Sequence, residues 1–146
     1  MPLSDHQEFL HSVRVPLRLG LARDDQPIIV PLWFVYEGER LWCACHRSSY
    51  VVRRIREQTR DPMLGLVCAF DISTNDPPYR GIRGTGQVTL VEELGGEKLA
   101  RLTGRYLDDA SSGFASWLLS RSDEEVALCI NAADVKAWDF TARMSQ

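Results

Sequence analysis

The feature that most constrains the fold is a series of apolar segments with strand periodicity, separated mainly by short turns. A doubly wound parallel sheet would need a helix between nearly all consecutive strands, and most consecutive segments here have no predicted helix between them. The sequence therefore predicts a mainly β (α+β) fold, an antiparallel barrel of about six to seven strands with peripheral helices. The predicted strands are residues 15–23, 27–36, 41–45, 63–72, 79–91, 125–131 and 135–141.

Turn and helix signals lie between these strands. Asp24-Asp25-Gln26 and Glu37-Gly38-Glu39-Arg40 are predicted turns, whereas Pro31 inside a strand indicates an edge, a bulge or a strand that faces a ligand. Three glycines in the fifth strand indicate a bulge or a close approach of another group. Helices are predicted at residues 5–13, from Ser48 or Ser49 to residue 58, at 95–108 and at 114–119.

Composition indicates one domain, residues 1–146, with enough apolar residues (45%) to form a core. The net charge of −3 does not fit a general nucleic-acid binder, which is usually basic over its whole domain. No stretch approaches the ~20 consecutive apolar residues of a membrane span. The N-terminus also lacks the basic-then-apolar order of a secretory signal. We therefore expect a cytoplasmic protein that does not bind membranes or nucleic acid.

The four cysteines, Cys43, Cys45, Cys68 and Cys129, are predicted to be free thiols. A chain of this size with an ample core does not need disulfides, and the cytosol would keep the thiols reduced. Cys43 and Cys45 share one face of a strand beside His46, but no second cluster with metal-ligand spacing accompanies them. No metal site is predicted.

The segment HRSSYVVRRIR, which begins at His46, carries a local excess of positive charge. From residue 47 to residue 60 there are five arginines and one acid, a local charge of +4. In the predicted helix, Val51, Val52 and Ile55 form one face, and the arginines at 53, 54 and 56 lie mostly on the other. The segment is interpreted either as a binding site for a small phosphate-bearing ligand or as a solvated helix face.

Two longer stretches within residues 17–93 carry a specific combination of motifs. They are PIIVPLWFVYEGERLWCACHRSSYVVRRIREQTRDPMLGLV and PPYRGIRGTGQVTLVEE, and together they resemble the pyridoxamine 5′-phosphate oxidase-like family of flavin-binding split barrels. The matching signals are a P-x-x-V-P-x-W-F strand, a segment of small residues before a helix, a D-P-x-x-x-L strand and a P-Y-R-G-x-x-x-x-G strand. The remaining C-terminal third matches only in the order of its elements.

The resemblance implies a binding site for FMN. It places the flavin ring along the backbone of residues 30–33 and the cofactor phosphate at the start of the helix, where free amides and the helix dipole favour an anion. It also places an arginine of the P-Y-R-G motif near the cofactor. The implied cofactor-binding residues are Val30, Pro31, Leu32, Trp33, Cys45, Ser48, Ser49, Tyr50, Arg53 and Arg80.

Two positions depart from the family pattern. Family members often have Ser or Thr at the position of Cys45 and Lys at the position of Val51. Cysteine is a weak hydrogen-bond donor and valine carries no charge. Arg47, Arg53 or Arg54 could bind the phosphate instead.

The resemblance implies a flavin-dependent oxidoreductase whose substrate the sequence does not identify. Alternatives are a cofactor-free or ligand-sensing barrel, and the same fold with a deazaflavin or haem. Pyridoxamine-phosphate oxidation itself is not expected, because the C-terminus lacks the R-L-x-P ending of those enzymes. No catalytic side chain is identified, since a flavin would carry the chemistry.

The resemblance also implies a homodimer, since these split barrels build each cofactor site across the subunit interface. The apolar surface expected at the open side of a lone barrel supports the same prediction. We expect that surface to comprise Val30, Leu32, Phe34 and Trp42.

Overall fold

A computed structural model describes residues 2–22, 26–107 and 112–144 of the chain. Its main feature is one antiparallel sheet of seven strands, as the alternation in the sequence predicted. The strands are β1 (Leu17–Leu21), β2 (Ile28–Leu32), β3 (Val35–Glu37), β4 (Arg40–His46), β5 (Leu66–Ser73), β6 (Arg80–Val91) and β7 (Glu125–Asp139).

The order of the strands forces the sheet to curl. They run β2-β1-β5-β6-β7-β4-β3, so β2 and β3 lie at opposite edges although they are consecutive in the chain. Only Trp33 and Phe34 separate the two strands. Three residue steps span at most about 11 Å. The two edges of the sheet must therefore approach each other, and the sheet forms a barrel that is open on one side.

The helices pack around this sheet. A 3₁₀ turn at Leu3–His6 leads into the first helix, and the predicted helix after Ser49 is present with Ser49 as its N-cap. The predicted helices are confirmed within one to three residues at their ends. They are α1 (Gln7–Ser12), α2 (Tyr50–Gln58), α3 (Gly95–Tyr106), α4 (Gly113–Leu119) and, in addition, α5 (Thr141–Met144).

The prediction of one strand over residues 27–36 is wrong. The chain leaves β2 after Leu32 and enters β3 at Val35, so Trp33 and Phe34 form the connection between the two sheet edges. Phe34 is buried in the core. The alternation of buried and more exposed residues therefore continues from β2 into β3, and the sequence pattern does not show where the strand ends. Pro31 lies in the edge strand β2, one of the three environments predicted for it.

The prediction of two strands at the C-terminus is also wrong, because β7 runs without interruption from Glu125 to Asp139. Residues 131–134 (Asn-Ala-Ala-Asp) resemble a turn in the sequence, but all of them except Ala133 pair with β6, and Ala133 is skipped at the register shift between Thr85 and Gly86. A Cβ at Gly86 would lie 2.2 Å from the carbonyl oxygen of Asn131, so the bulge requires glycine there.

Smaller differences concern element ends. Residues 63 and 64 lie in a turn before β5, because Gly65 has a φ of +79° and the strand begins at Leu66. The predicted residues Arg23, Asp24, Asp25 and Asp108 lie outside the described part of the chain.

The core lies between the inner face of the curled sheet and the helices α1 and α2. Alternate residues of β1 and β4 point inward, as their period-two pattern predicted. No helix in the described ranges is long and apolar enough to cross a membrane. The largest fully buried side chains are Phe34, Leu10, Leu17, Leu19, Leu21, Leu41, Ile55, Ile72, Ile82, Leu102, Leu128 and Ile130.

Candidate functional site

A pocket of about 350 Å³ lies where β2 and β4 end beside α3 and α4. One wall is formed by Pro31, Leu32 and Trp33, and a second by residues 44–46, which include Cys45. Four of the cofactor-binding residues predicted from the sequence therefore lie together around one cavity. The opposite wall comes from α3, α4 and the start of β7, and consists of Leu99, Leu102, Phe114, Leu118, Arg121 and Glu125.

The first wall is held in place by Tyr106 of α3. The Trp33 ring stacks on the Tyr106 ring with a centroid distance of 5.0 Å and an interplanar angle of 4°. The Tyr106 hydroxyl accepts a hydrogen bond from the Phe34 amide (3.2 Å) and donates one to the Val15 carbonyl (2.9 Å). Tyr106 therefore fixes the connection between β2 and β3, and with it the position of Trp33 beside the pocket.

The second wall leads directly into α2. After Cys45 and His46 the chain turns, and the Ser49 hydroxyl accepts a hydrogen bond from the Val52 amide at 3.4 Å. The amides of the first helical turn have no partner within the helix, so this end of α2 favours an anion. Ser49 is thus an N-cap at the position where the sequence resemblance expects a phosphate.

His46 connects the pocket to this helix start. Its Nδ1 lies 2.7 Å from the Ser48 hydroxyl and accepts a hydrogen bond from the Ser48 amide (3.1 Å), whereas its Nε2 lies 2.9 Å from Glu124. Because Nδ1 is an acceptor, the proton of the neutral ring is on Nε2 and is donated to Glu124. The hydrogen-bonding groups of Ser48 are therefore engaged by His46.

The arginines of the basic segment occupy different environments. Arg53 is exposed beside Tyr50, and Arg47 donates to the carbonyl of Asp123 at 3.2 Å. Arg54 was expected on the polar face of the helix, but its side chain is only 2% exposed. It donates to the Tyr50 hydroxyl (3.1 Å) and to the carbonyl of Gln26, so it links α2 to the start of β2.

The other predicted residues do not line the pocket: Ser48, Ser49, Tyr50 and Arg53 lie at or near the start of α2, and Val30 and Arg80 lie elsewhere. Val30 is half-buried in β2 and packs against the core. Arg80 begins β6 and lies beside a different pocket of about 390 Å³. Its guanidinium carbon is 5.5 Å from the ring centroid of Phe9 in α1. Within one chain, the structure therefore does not bring Arg80 next to Pro31, Leu32 and Trp33.

The cysteines are unpaired, and Cys45 is the one that lines the pocket. Burial, together with a smaller effect of the nearby Glu125 carboxylate, raises the pKa of the Cys45 thiol to about 12. The thiol is therefore protonated at neutral pH and is not a nucleophile. In the described ranges, no group of three or more His, Cys, Asp or Glu side chains could hold a metal ion.

Glu125, which was not predicted as a site residue, is the most unusual group in this pocket. Its side chain is only 6% exposed, and its Oε2 has no hydrogen-bond partner among the described residues. Burial raises its pKa above the ordinary carboxyl value, although the charges of Arg121 and His46 act in the opposite direction. No sequence signal marks Glu125, because it ends an acidic run that is typical of a surface turn.

We expect Glu125→Gln to raise the free energy of unfolding at pH 7 by roughly 1 kcal/mol. Since the carboxyl pKa is raised in the folded protein, wild-type stability should fall as the pH rises from the unfolded pKa through the folded pKa. The two proteins should converge below about pH 4, where the carboxyl is protonated in both folded and unfolded states. Urea unfolding between pH 4 and pH 8 measures this.

Glu124→Gln is the matched control, because Glu124 is exposed and pairs only with His46 in this region. It should change stability by less than about 0.5 kcal/mol at pH 7. An equal gain for both variants, or a gain for Glu125→Gln that persists at pH 4, would contradict the assignment of a raised pKa to Glu125.

No family model matches the chain, and no curated protein matches it. Solved structures do match its fold. A conserved hypothetical protein of Mycobacterium tuberculosis is 20% identical, with a TM-score of 0.72 over 100% of this chain and 89% of that chain. An F420 reductase is 20% identical, with a TM-score of 0.68 over 88% and 94%. An FAD- and haem-binding protein of Mycobacterium smegmatis is 16% identical, with a TM-score of 0.65 over 91% and 69%.

These matches define the fold class. The chain has the split-barrel fold of the pyridoxamine 5′-phosphate oxidase-like proteins, as the resemblance of residues 17–93 predicted. At 20% identity or below, the similarity concerns the fold, and the ligand has to be argued from the residues of the pocket.

Proposed function

We propose that this protein binds a flavin-type cofactor, FMN in the first instance, and acts as a flavin-dependent oxidoreductase. The observation that carries the proposal is the pocket that combines residues 31–33 with Cys45 immediately before the capped start of α2. A flavin is a flat, largely apolar ring joined by a chain to a phosphate. The pocket offers an apolar cavity for such a ring, and α2 offers an N-terminus for the phosphate.

The chemistry of the pocket fits this cofactor. Its lining is mainly apolar, with a few polar groups, and its volume suits a tricyclic ring. A bound flavin would supply hydride transfer, while the chain would orient the ring and exclude water. The four unpaired thiols suit a reducing, cytoplasmic location.

The absorption spectrum of the purified protein, followed by fluorescence titration with FMN and with riboflavin, tests the proposal. We expect FMN to bind more tightly than riboflavin, because only FMN carries the phosphate that α2 would hold. Equal affinity would contradict the phosphate site. If neither flavin binds, parallel titrations with a deazaflavin and with haem determine whether another cofactor occupies the barrel. F420- and haem-binding proteins share the fold.

A second candidate function is a cofactor-free or ligand-sensing barrel. Two observations favour it: the hydrogen-bonding groups of Ser48 are already engaged by His46, and Val51 is buried in the core and supplies no charge. A chain that binds neither FMN, riboflavin, a deazaflavin nor haem would support this candidate and exclude the flavin proposal.

Arg53 and Arg54 are adjacent, but Arg53 is exposed and Arg54 is buried. Replacing each of them separately tests whether an arginine of α2 contacts the phosphate. Arg53→Ala is expected to weaken FMN binding by about 1.5 to 3 kcal/mol if the contact is made, or roughly tenfold to more than a hundredfold. Stability should change by less than about 0.5 kcal/mol, since Arg53 is exposed. Titration with FMN and riboflavin at low salt, together with urea unfolding, measures both effects.

Arg54→Ala is the paired variant. It is expected to change stability strongly, whereas Arg53→Ala is expected to change FMN binding. Because buried Arg54 holds the Gln26 carbonyl and the Tyr50 hydroxyl, its loss should lower the free energy of unfolding by about 1 to 3 kcal/mol. If Arg53→Ala weakens riboflavin binding as much as FMN binding, Arg53 does not contact the phosphate.

We also propose a homodimer, on grounds that differ from those available in the sequence. The predicted apolar surface is wrong for Phe34, which is fully buried, and Val30, Leu32 and Trp42 are half-buried. The exposed apolar surface instead includes Ile29 (73%) and Val67 (67%) on the outer face of the sheet.

This outer face has the character of a self-complementary contact. Ile29, Gly20 and Ala69 lie side by side across β2, β1 and β5. They border a groove of about 490 Å³ whose rim carries both signs of charge. In such a dimer we place the partner subunit's Arg80 near the cofactor, because the Arg80 of the same chain lies in a separate pocket.

Light scattering at micromolar concentration should therefore give a mass near twice 16.6 kDa. Val67→Lys should shift the mass towards the monomer, because it places a charge in the apolar contact. A wild-type mass near 16.6 kDa would reject the dimer.

A further inference from the structure

The buried carboxyl group of Glu125 needs a partner that the described part of the chain does not supply. It lines the pocket, and its Oε2 is buried without a hydrogen bond. Nearly all buried polar atoms in folded proteins have a hydrogen-bond partner, so an exception inside a pocket indicates a ligand that donates one.

The backbone that carries this carboxyl group is closely fixed. Gly95, the first residue of α3, packs so tightly on β7 that a Cβ there would lie 1.9 Å from the Glu125 carbonyl oxygen. On the other side, Glu125 pairs with His46 across β4 and β7. Its backbone is therefore held between a helix and a strand.

Arg121 places a hydrogen-bond donor in the same pocket. Its guanidinium carbon lies 4.7 Å from the ring centroid of Trp117, and its charge acts on the Glu125 carboxyl. Other titratable groups near Glu125 are His46 and Glu124, which engage each other at 2.9 Å. The polar surface available to a ligand therefore combines an acceptor from Glu125 with donors from Arg121.

The isoalloxazine ring has the matching pattern at its pyrimidine end, where one N–H lies between two carbonyl groups. This cyclic imide is common to FMN, FAD and deazaflavins, and it is absent from haem. A carboxylate oxygen accepts from the N–H, and a guanidinium donates to a neighbouring carbonyl. The rest of the ring is largely apolar and suits the leucine and aromatic side chains that line the cavity.

We propose that Glu125 and Arg121 bind the imide edge of the cofactor ring, with Glu125 accepting the N3–H hydrogen bond and Arg121 donating to an adjacent carbonyl. This inference rests on the proposed flavin function. It makes Glu125 and Arg121 the residues that select a cofactor with an imide and set the orientation of its ring in the pocket.

Paired titrations with FMN and 3-methyl-FMN test the inference, because methylation at N3 removes only the proposed donor. Wild-type protein should bind FMN at least tenfold more tightly than 3-methyl-FMN. In Glu125→Leu, which replaces the carboxylate with an apolar side chain of similar size, the preference should fall below about twofold. Glu125→Gln, which retains a carbonyl acceptor, should keep part of the preference. Arg121→Met should weaken both ligands similarly.

The outcomes separate this inference from the proposed function. If wild-type protein binds FMN and 3-methyl-FMN equally, the role of Glu125 is overturned and flavin binding stands. The same conclusion follows if Glu125→Leu retains the wild-type preference. If neither FMN nor 5-deaza-FMN binds, or if haem alone binds, both the inference and the flavin function are overturned. The wild-type comparison remains decisive if Glu125→Leu does not fold.

Discussion

Gly95→Ala should lower the free energy of unfolding by about 3 kcal/mol, because the added methyl group has no space. Its Cβ would lie 1.9 Å from the Glu125 carbonyl oxygen and 2.8 Å from the Val126 amide nitrogen. Both are backbone atoms of β7 and cannot rotate away, so α3 would have to move off the sheet. Urea unfolding followed by circular dichroism measures the loss.

Gly104→Ala in the same helix is the matched control. Apart from the neighbouring residues and the backbone of the same helix, no atom of the described residues lies within 4 Å of the Cβ that this change would add. Alanine is a better helix former than glycine, so this variant should gain up to about 1 kcal/mol. Equal stability of the two variants would mean that α3 and β7 are not packed as described.

Gly95→Ala should also weaken FMN binding, because displacement of α3 alters the wall opposite Trp33 and shifts Glu125. Gly104→Ala should leave binding unchanged. A Gly95→Ala protein that is destabilised but binds FMN normally would show that the ligand does not contact this side of the pocket.

Phe34→Ala should also have a large effect and lower the free energy of unfolding by about 3 to 5 kcal/mol. Phe34 is fully buried and lies in the two-residue connection between β2 and β3. Its side chain fills the core where the two sheet edges approach each other, and the guanidinium of Arg105 lies 5.0 Å from its ring centroid. Truncation would leave a cavity at that position.

Two comparisons identify the cause of this loss. Phe34→Leu retains most of the buried volume and should cost less than about 1.5 kcal/mol. Ile29→Ala in β2 removes an exposed side chain and should change monomer stability by less than about 0.5 kcal/mol. A loss below about 1 kcal/mol for Phe34→Ala would contradict the packing of this connection.

The sequence predicted most of the strands, the helices and the capped start of α2 because those features are local. Ser49 precedes an apolar helix face, so the cap of α2 and its position after Cys45 follow from the chain itself. Residues 31–33 and Cys45 were grouped by the family resemblance. The structure places all four around one pocket.

The features that were missed depend on contacts between distant segments. Arg54 is three residues after Val51 and therefore lies at the edge of the apolar face. Its buried side chain donates to the carbonyl of Gln26, which belongs to a distant part of the chain and which the helix pattern does not indicate. The run of apolar residues continues through Trp33 and Phe34. It therefore does not reveal that one strand ends there and that the next lies at the opposite edge of the sheet. The burial of Glu125 results from packing against α3 and β4, which no pattern within the acidic run indicates.

The pairing of β4 with β7 has a consequence for synthesis of the chain on the ribosome. Cys45 is the register partner of Val126, roughly 80 residues later, and among the described strands β3 pairs only with β4. Until β7 has emerged, the β3–β4 hairpin is an isolated two-stranded unit with an open edge and an unsupported apolar face. The C-terminal strand therefore completes the barrel, and nascent chains that end before it should depend on chaperones to avoid association through this hairpin.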